Sequence, residues 1–216
     1  MSGKTQVKIC GIKSPEILDV CVEAGVEYVG LVFVEKSPRF IGQQMARSLA
    51  EQAKGRTQSV GLVMNQSLNA LKSLLAEVPL DYLQLHGQET PEFCAEISSL
   101  GIKTIKAFSV GSADHVEAAR AYQNTVDMLL FDAKPRQGED LPGGNAHAFD
   151  WQLMAGQDFP VPWMLAGGLV VENVSEAVRV SGAKIVDLSS GVESSRGVKD
   201  PDKVRAFVAS AKKAAF

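Results

Sequence analysis

The chain has 216 residues, of which 45% are hydrophobic and 22% charged, and it carries a formal net charge of −3. That balance is enough for a buried core and excludes a disordered or fibrous protein, and a weakly acidic chain has no bulk attraction for nucleic acid or an anionic membrane. No apolar run approaches the roughly 20 residues of a membrane span, and the N-terminus lacks a signal peptide's apolar region, so a cytoplasmic protein with no membrane partner is expected.

Val7 to Gly11 reads as a first strand, with Cys10 near its carboxyl end. Ser14-Pro15-Glu16 then places a capping hydroxyl before a proline and a first-turn acid, opening a helix over Pro15 to Ala24. The second strand, Tyr28 to Phe33, leads into Ser37-Pro38-Arg39-Phe40. The third, Ser59 to Met64, is followed by a helix over Leu68 to Glu77, and the fourth, Tyr82 to Leu85, runs into His86-Gly87. Thr90-Pro91-Glu92 repeats the helix-start signature for Pro91 to Leu100.

Thr104 to Phe108 is the fifth strand, with a helical pattern at Val116 to Tyr122 behind it, and Met128 to Phe131 the sixth, with Asp132 at its end. The longest irregular stretch follows, Ala133 to Ala146, where a barrel puts an active-site loop; it reads as either a lid or a surface excursion. Trp163 to Leu165 is the seventh strand, with Gly167-Gly168-Leu169 before a helix around Asn173, and Ile185 to Leu188 the eighth, with Ser189-Ser190-Gly191 behind it. Gly25, Gly55, Gly101 and Gly182 mark helix ends.

Eight strand-helix units of about 27 residues, without a linker, predict an α/β fold: one (β/α)8 TIM barrel occupying residues 1–216 as a single catalytic domain. The alternative, an open doubly wound sheet, would carry a G-x-G-x-x-G fingerprint after the first strand, and none follows Cys10.

In such a barrel the carboxyl ends of the strands converge on one mouth. There the chain places Cys10, Arg39, His86, Asp132, Gly167-Gly168 and Ser189-Ser190-Gly191. Cys10 and Asp132 lie on strands three apart around the ring and so suit two proton transfers at different atoms of one ligand. For that work Asp132 needs a raised pKa, and Cys10 must become a thiolate, which Lys8 on the same strand face and the first helix N-terminus favour. Lys8, pointing inward, needs a carboxylate partner.

The two glycine- and serine-rich turns after strands seven and eight offer backbone N–H groups to a phosphate. Arg39 reads either as a clamp for a carboxylate or as a solvated surface arginine, the latter favoured by spacing alone. His86 is either a competing acid or base or a packed, hydrogen-bonded residue, and His115 and His147 have no comparable placement. Cys10, Cys21 and Cys94 are odd in number and lack CxxC spacing, so neither a disulfide framework nor a zinc site is expected.

These residues fall in motifs that resemble phosphoribosylanthranilate isomerase: Lys8-Ile9-Cys10-Gly11-Ile12, Gly30-Leu31-Val32-Phe33 with Ser37-Pro38-Arg39, Gln84-Leu85-His86-Gly87, Asp132-Ala133-Lys134, Phe149-Asp150-Trp151, Ala166-Gly167-Gly168-Leu169 and Asp187-Leu188-Ser189-Ser190-Gly191-Val192-Glu193. They occur in the family's order and span nearly the whole chain; the loop Pro142-Gly143-Gly144-Asn145-Ala146 departs from the usual pattern.

The resemblance implies an Amadori rearrangement of N-(5-phosphoribosyl)anthranilate in tryptophan biosynthesis, with no metal and no organic cofactor. It makes Asp132 the general acid and Cys10 the general base, and puts Arg39 on the anthranilate carboxylate. Substrate binding would fall to His86, Gly167, Gly168, Asp187, Ser189, Ser190 and Gly191. The partner it implies is a phosphorylated sugar-anthranilate molecule, and the chain would act as a monomer or homodimer. Rival readings are another enzyme on the same barrel and a barrel that binds sugar phosphates without turnover.

Overall fold

The computed structural model describes residues 4–133 and 149–214. Eight parallel strands close into a barrel in chain order: β1 (Gln6–Cys10), β2 (Tyr28–Val32), β3 (Gln58–Val63), β4 (Tyr82–Leu85), β5 (Lys103–Val110), β6 (Met128–Ala133), β7 (Trp163–Leu165) and β8 (Ile185–Leu188), with β8 pairing back onto β1. Among the described residues seven α-helices pack outside: α1 (Pro15–Ala24), α2 (Gln43–Ala53), α3 (Leu68–Glu77), α4 (Pro91–Ser98), α5 (Ala113–Ala118), α6 (Val174–Ser181) and α7 (Pro201–Lys213). The predicted open-sheet alternative is excluded by closure. The predicted loop from Ala133 to Ala146 lies, beyond Ala133, outside the described residues, as does His147.

The caps read from the sequence form as expected. Ser14 Oγ accepts from the Ile17 N–H at 3.5 Å and Thr90 Oγ1 from the Phe93 N–H at 3.3 Å, each ahead of a first-turn proline. Two local expectations are corrected, and one element went unread. The helical pattern at Val116 to Tyr122 starts earlier, at Ala113, and tightens into a 3-10 turn over Ala119–Tyr122. Strand β6 runs on through Asp132 and Ala133, because Ser109 and Val110 continue β5 alongside them. After Ser189 the chain makes a 3-10 turn and then a short antiparallel hairpin, β9 (Glu193–Ser195) with β10 (Val198–Lys199), which strand periodicity is too brief to signal.

Alternation along the strands sorts the core into two layers. Outward residues such as Val7, Ile9, Leu31, Leu83, Leu129, Phe131 and Val186 pack against helix residues including Leu18, Leu49, Leu74, Ile97 and Phe207. Inward residues Tyr28, Val60, Tyr82, Ile105, Met128, Leu130, Met164 and Ile185 fill the barrel's interior. Above that apolar plug the inward positions turn polar: Lys8, Gln84, Lys106, Asp132 and Asp187 are all buried.

Lys8 and Asp187 occupy facing register positions on β1 and β8, and Lys8 Nζ donates to Asp187 Oδ1 at 2.9 Å. This is the partner that an inward lysine required. Lys8→Met would strand the Asp187 carboxylate in the barrel, and a loss of about 3–5 kcal/mol in unfolding free energy is expected, to be measured by urea denaturation.

Candidate active site

One pocket opens at the carboxyl ends of the strands. It is lined by Cys10, Arg39, His86, Asp132, Gly167, Gly168, Asp187, Ser189, Ser190 and Gly191, so every site residue read from the sequence converges there. Three more lining residues, Val32, Leu62 and Met64, supply an apolar wall. Cys21 and Cys94 lie elsewhere, buried on α1 and α4, and burial pushes their thiols up to about 12 and about 11. His115 sits on α5, where its Nδ1 pairs with Ser112 Oγ at 2.8 Å.

The thiol of Cys10 has its place because Gly30, its register partner on β2, has no side chain; a Cβ there would stand 2.8 Å from Sγ. The electrostatics of Cys10 correct the sequence reading. Burial pushes the thiol up, and this outweighs the pull of Lys8, which is itself opposed by the Asp187 charge. Lysine 8 stays protonated: burial works against its charge, but Asp187 and the neighbouring thiol hold its pKa above the ordinary value. The lysine thus moderates the burial penalty and does not reverse it.

Asp132 meets the requirement for an acid. Burial, then the nearby Asp187 charge, raise its carboxyl to about 7, against the Ala133 N–H and Lys8, which favour the anion. The Ala133 N–H donates to Oδ1 at 2.8 Å, so Oδ2 is the oxygen left facing the site. His86 Nε2 stands 3.7 Å from that Oδ2, and His86 Nδ1 pairs with the Gln84 amide at 2.8 Å. Burial, with the charges of Lys8 and Lys106, holds His86 down to about 3, so the imidazole is neutral at physiological pH. That favours the packed, hydrogen-bonded reading of His86 over a competing general acid.

The turn after β7 is preset for an anion. Gly167 and Gly168 adopt φ of +89° and +63°, and a Cβ on Gly167 would meet the Ala133 backbone nitrogen at 2.5 Å, so only glycine fits there. Asn173 stitches the turn from below, donating to the Gly168 carbonyl at 2.9 Å and accepting from the Val170 N–H at 2.8 Å. The N–H groups of Gly167 and Gly168 have no acceptor among the described residues, which leaves them for a ligand. The turn after β8 is fixed by Ser189, whose Oγ donates to the Cys10 carbonyl at 2.9 Å.

Arg39 is not a solvated surface residue. It is 9% exposed, and its Nε and Nη2 form a fork on Glu193 at 2.7 and 3.0 Å. Glu193 also receives Lys199 Nζ at 2.8 Å, and Lys199 in turn donates to the carbonyl and hydroxyl oxygens of Ser189 at 2.8 and 3.0 Å. One carboxylate therefore ties the loop after β2 to the turn after β8. Asp187, expected to bind substrate, lines the pocket while its Oδ1 is engaged by Lys8.

Sequence reasoning gave no role to Glu193, Lys199, Gln84 or Arg196, which lines the mouth from the β9–β10 hairpin. Only Glu193 and Gln84 carried a signal, as members of the quoted motifs.

Burial opposes ionisation of Glu193, but the Arg39 hydrogen bond and the Lys199 charge outweigh it and hold the carboxyl at about 2, against 4.5 ordinarily. A carboxyl lowered on folding stabilises the fold above its unfolded pKa, and the contribution is lost as pH falls towards the folded value. Melting temperature is therefore expected to drop between about pH 4.5 and 2. The Glu193→Gln variant, less stable at neutral pH, is expected to show a shallower drop in that window by calorimetry.

Residues 7–210 match the family model for N-(5'phosphoribosyl)anthranilate (PRA) isomerase. The N-(5'-phosphoribosyl)anthranilate isomerase of Paramagnetospirillum magneticum is 50% identical over 208 residues, covering 96% of this chain and 97% of that one. The crystal structure of phosphoribosyl anthranilate isomerase from Thermotoga maritima superposes with a TM-score of 0.87 at 36% identity, covering 96% and 98% of the two chains. A phosphoribosyl anthranilate isomerase in complex with reduced 1-(o-carboxyphenylamino)-1-deoxyribulose 5-phosphate superposes at 0.82 with 33% identity over the same shares. A closed barrel, a family model matched over residues 7–210 and near-complete coverage by relatives agree, and the chain belongs to the N-(5'-phosphoribosyl)anthranilate isomerase family.

Proposed function

We propose that this protein carries out the Amadori rearrangement of N-(5-phosphoribosyl)anthranilate to 1-(2-carboxyphenylamino)-1-deoxyribulose 5-phosphate, with Asp132 as general acid and Cys10 as general base. The observation that carries the assignment of roles is the opposite demand on the two groups. Asp132 is a carboxyl with a pKa of about 7 facing the same pocket as a thiol set beside a charged lysine.

The substrate phosphate occupies the turns of Gly167-Gly168 and Ser189-Ser190, and this remote grip fixes the sugar between acid and base. Asp132 gives its proton to the furanose ring oxygen. The C1–O bond breaks as the nitrogen lone pair forms the C1=N bond of an iminium. The Cys10 thiolate then removes the proton at C2, and the C–H electron pair becomes the C1=C2 bond of an enolamine, returning the nitrogen to neutrality. The enol loses its hydroxyl proton as C1 gains one, which leaves the ketone, so atoms and electrons balance without an outside reactant. Arg39, aimed by Glu193, lies on the side that receives the anthranilate carboxylate.

We further assign residues 1–216 to one barrel domain acting in the cytoplasm as a step of tryptophan synthesis. Among the described residues no helix is long and apolar enough to cross a membrane. The test is the loss of anthranilate fluorescence on mixing freshly made phosphoribosylanthranilate with the protein, corrected for spontaneous hydrolysis, with the aminodeoxyribulose product identified. Catalysed product formation is expected; a wild-type rate equal to the blank would overturn the reading.

A further inference from the structure

The pocket holds a cation that the proposed mechanism does not use. Arg39 has committed Nε and Nη2 to Glu193, so much of its fork is already spent on an internal anion. Arg196 lines the same pocket, is exposed, and has no hydrogen-bond or ion-pair partner among the described residues. A guanidinium without a partner among the described residues, at the rim of a site for a dianionic or trianionic substrate, has an obvious physical use, and the hairpin that carries it has its backbone fixed at both ends.

That placement comes from both ends of the hairpin. At its base, Glu193 is fastened by Arg39 and Lys199. At its tip, the Gly197 N–H, next to Arg196, donates back to Glu193 Oε2 at 3.0 Å. The tip also abuts the loop after β2: a Cβ on Gly197 would lie 2.5 Å from the Pro38 carbonyl oxygen. Arg196 therefore stands beside Pro38 and Arg39, on the side of the mouth where the aromatic end of the substrate is placed. The Gly167-Gly168 turn, whose N–H groups have no acceptor among the described residues, is carried by β7, whereas the Ser189-Ser190 turn lies just before the hairpin, so what sets Arg196 on the carboxylate side is its seat beside Pro38 and Arg39.

We propose that Arg196 is a substrate-binding residue, a second guanidinium that receives the anthranilate carboxylate at the rim beside Arg39 and so contributes to selection for a carboxylated aromatic amine. The inference rests on the reading that the Arg39 side takes the aromatic end. It assigns Arg196 the outer oxygen of the carboxylate, with the Glu193-aimed Arg39 beneath it.

The experiment compares two ligands, reduced 1-(o-carboxyphenylamino)-1-deoxyribulose 5-phosphate and its phenylamino counterpart without the carboxylate, by calorimetric titration. For Arg196→Ala the carboxylated ligand is expected to bind about three- to ten-fold more weakly, as for one partly exposed charge-assisted contact. The carboxylate-free ligand should bind as it does to wild type. The loss should shrink at higher ionic strength, and Arg196→Lys should recover part of it. In turnover, KM should rise by a similar factor and kcat change less.

Unchanged affinity for the carboxylated ligand would overturn the proposal. So would an equal loss for both ligands, which would put Arg196 on the phosphate. Arg39→Gln, titrated with the same pair, separates the two readings. If that variant still distinguishes the ligands as wild type does, the placement of the aromatic end beside Arg39 falls, whatever Arg196 does.

Discussion

Asp132→Asn is expected to lower kcat by about a thousand-fold while leaving affinity for the reduced product analogue within a few-fold of wild type. The amide keeps the size of the carboxyl and can still accept the Ala133 N–H at Oδ1, so the strand end and the phosphate turns need not move. It cannot deliver a proton to the ring oxygen, and ring opening becomes the slow step.

The pH profile carries the sharper signature. In the proposed mechanism the active form of the wild type has a proton on Asp132 and none on Cys10. Asp132 titrates at about 7, below the thiol, whose pKa burial has raised. The active form is thus the minor member of the two singly protonated states, and the observed values belong to the pair. Its population grows as pH rises through about 7, stays level, and falls once the second proton leaves. Wild-type kcat/KM should therefore climb through about pH 7 to a plateau. In Asp132→Asn that acid limb should vanish, and the residual rate should follow the Cys10 thiolate upward. A variant within ten-fold of the wild-type kcat would remove Asp132 from the chemistry.

Cys10→Ser should also lower kcat by about a thousand-fold or more, because a hydroxyl in the same buried position is a much weaker acid than a thiol and supplies no base near neutral pH. Here the blocked step is different, since ring opening remains intact and removal of the C2 proton limits turnover. Substrate deuterated at C2 discriminates the two variants. A large primary isotope effect is expected in Cys10→Ser, and a suppressed one in Asp132→Asn. The reverse pattern would exchange the two roles. Cys10→Ala, which vacates the space beside Gly30, should fall as far as the serine variant, separating loss of the base from a packing defect.

The eightfold repeat was legible from the chain alone because it is written in local terms. Strands of alternating or continuous apolar character, capping hydroxyls before prolines at Ser14 and Thr90, and glycines at helix ends need only near neighbours in sequence to act. Once the repeat is read, barrel geometry places Cys10, Asp132 and the two glycine- and serine-rich turns at one mouth, and all of them line the observed pocket. The hairpin after β8 was missed because its two strands of three and two residues are too short for a period to show.

The charge relations were decided by tertiary structure. Arg39 and Glu193 are 154 residues apart in the chain, and Lys8 and Asp187 are 179 apart. Nothing in their local sequence says that one fork will close on a carboxylate or that one lysine will be buried against another strand. The direction of the Cys10 shift is the clearest case. From sequence, Lys8 argues for an easily formed thiolate; in the folded barrel, burial and Asp187 outweigh it. Asp132 shows the same principle working for the chemistry, since an ordinary aspartate becomes a usable acid only when burial and a neighbouring anion make its charge expensive. Short-range propensity and periodicity are properties of the chain, whereas desolvation and Coulomb coupling depend on distances that exist only after the barrel closes.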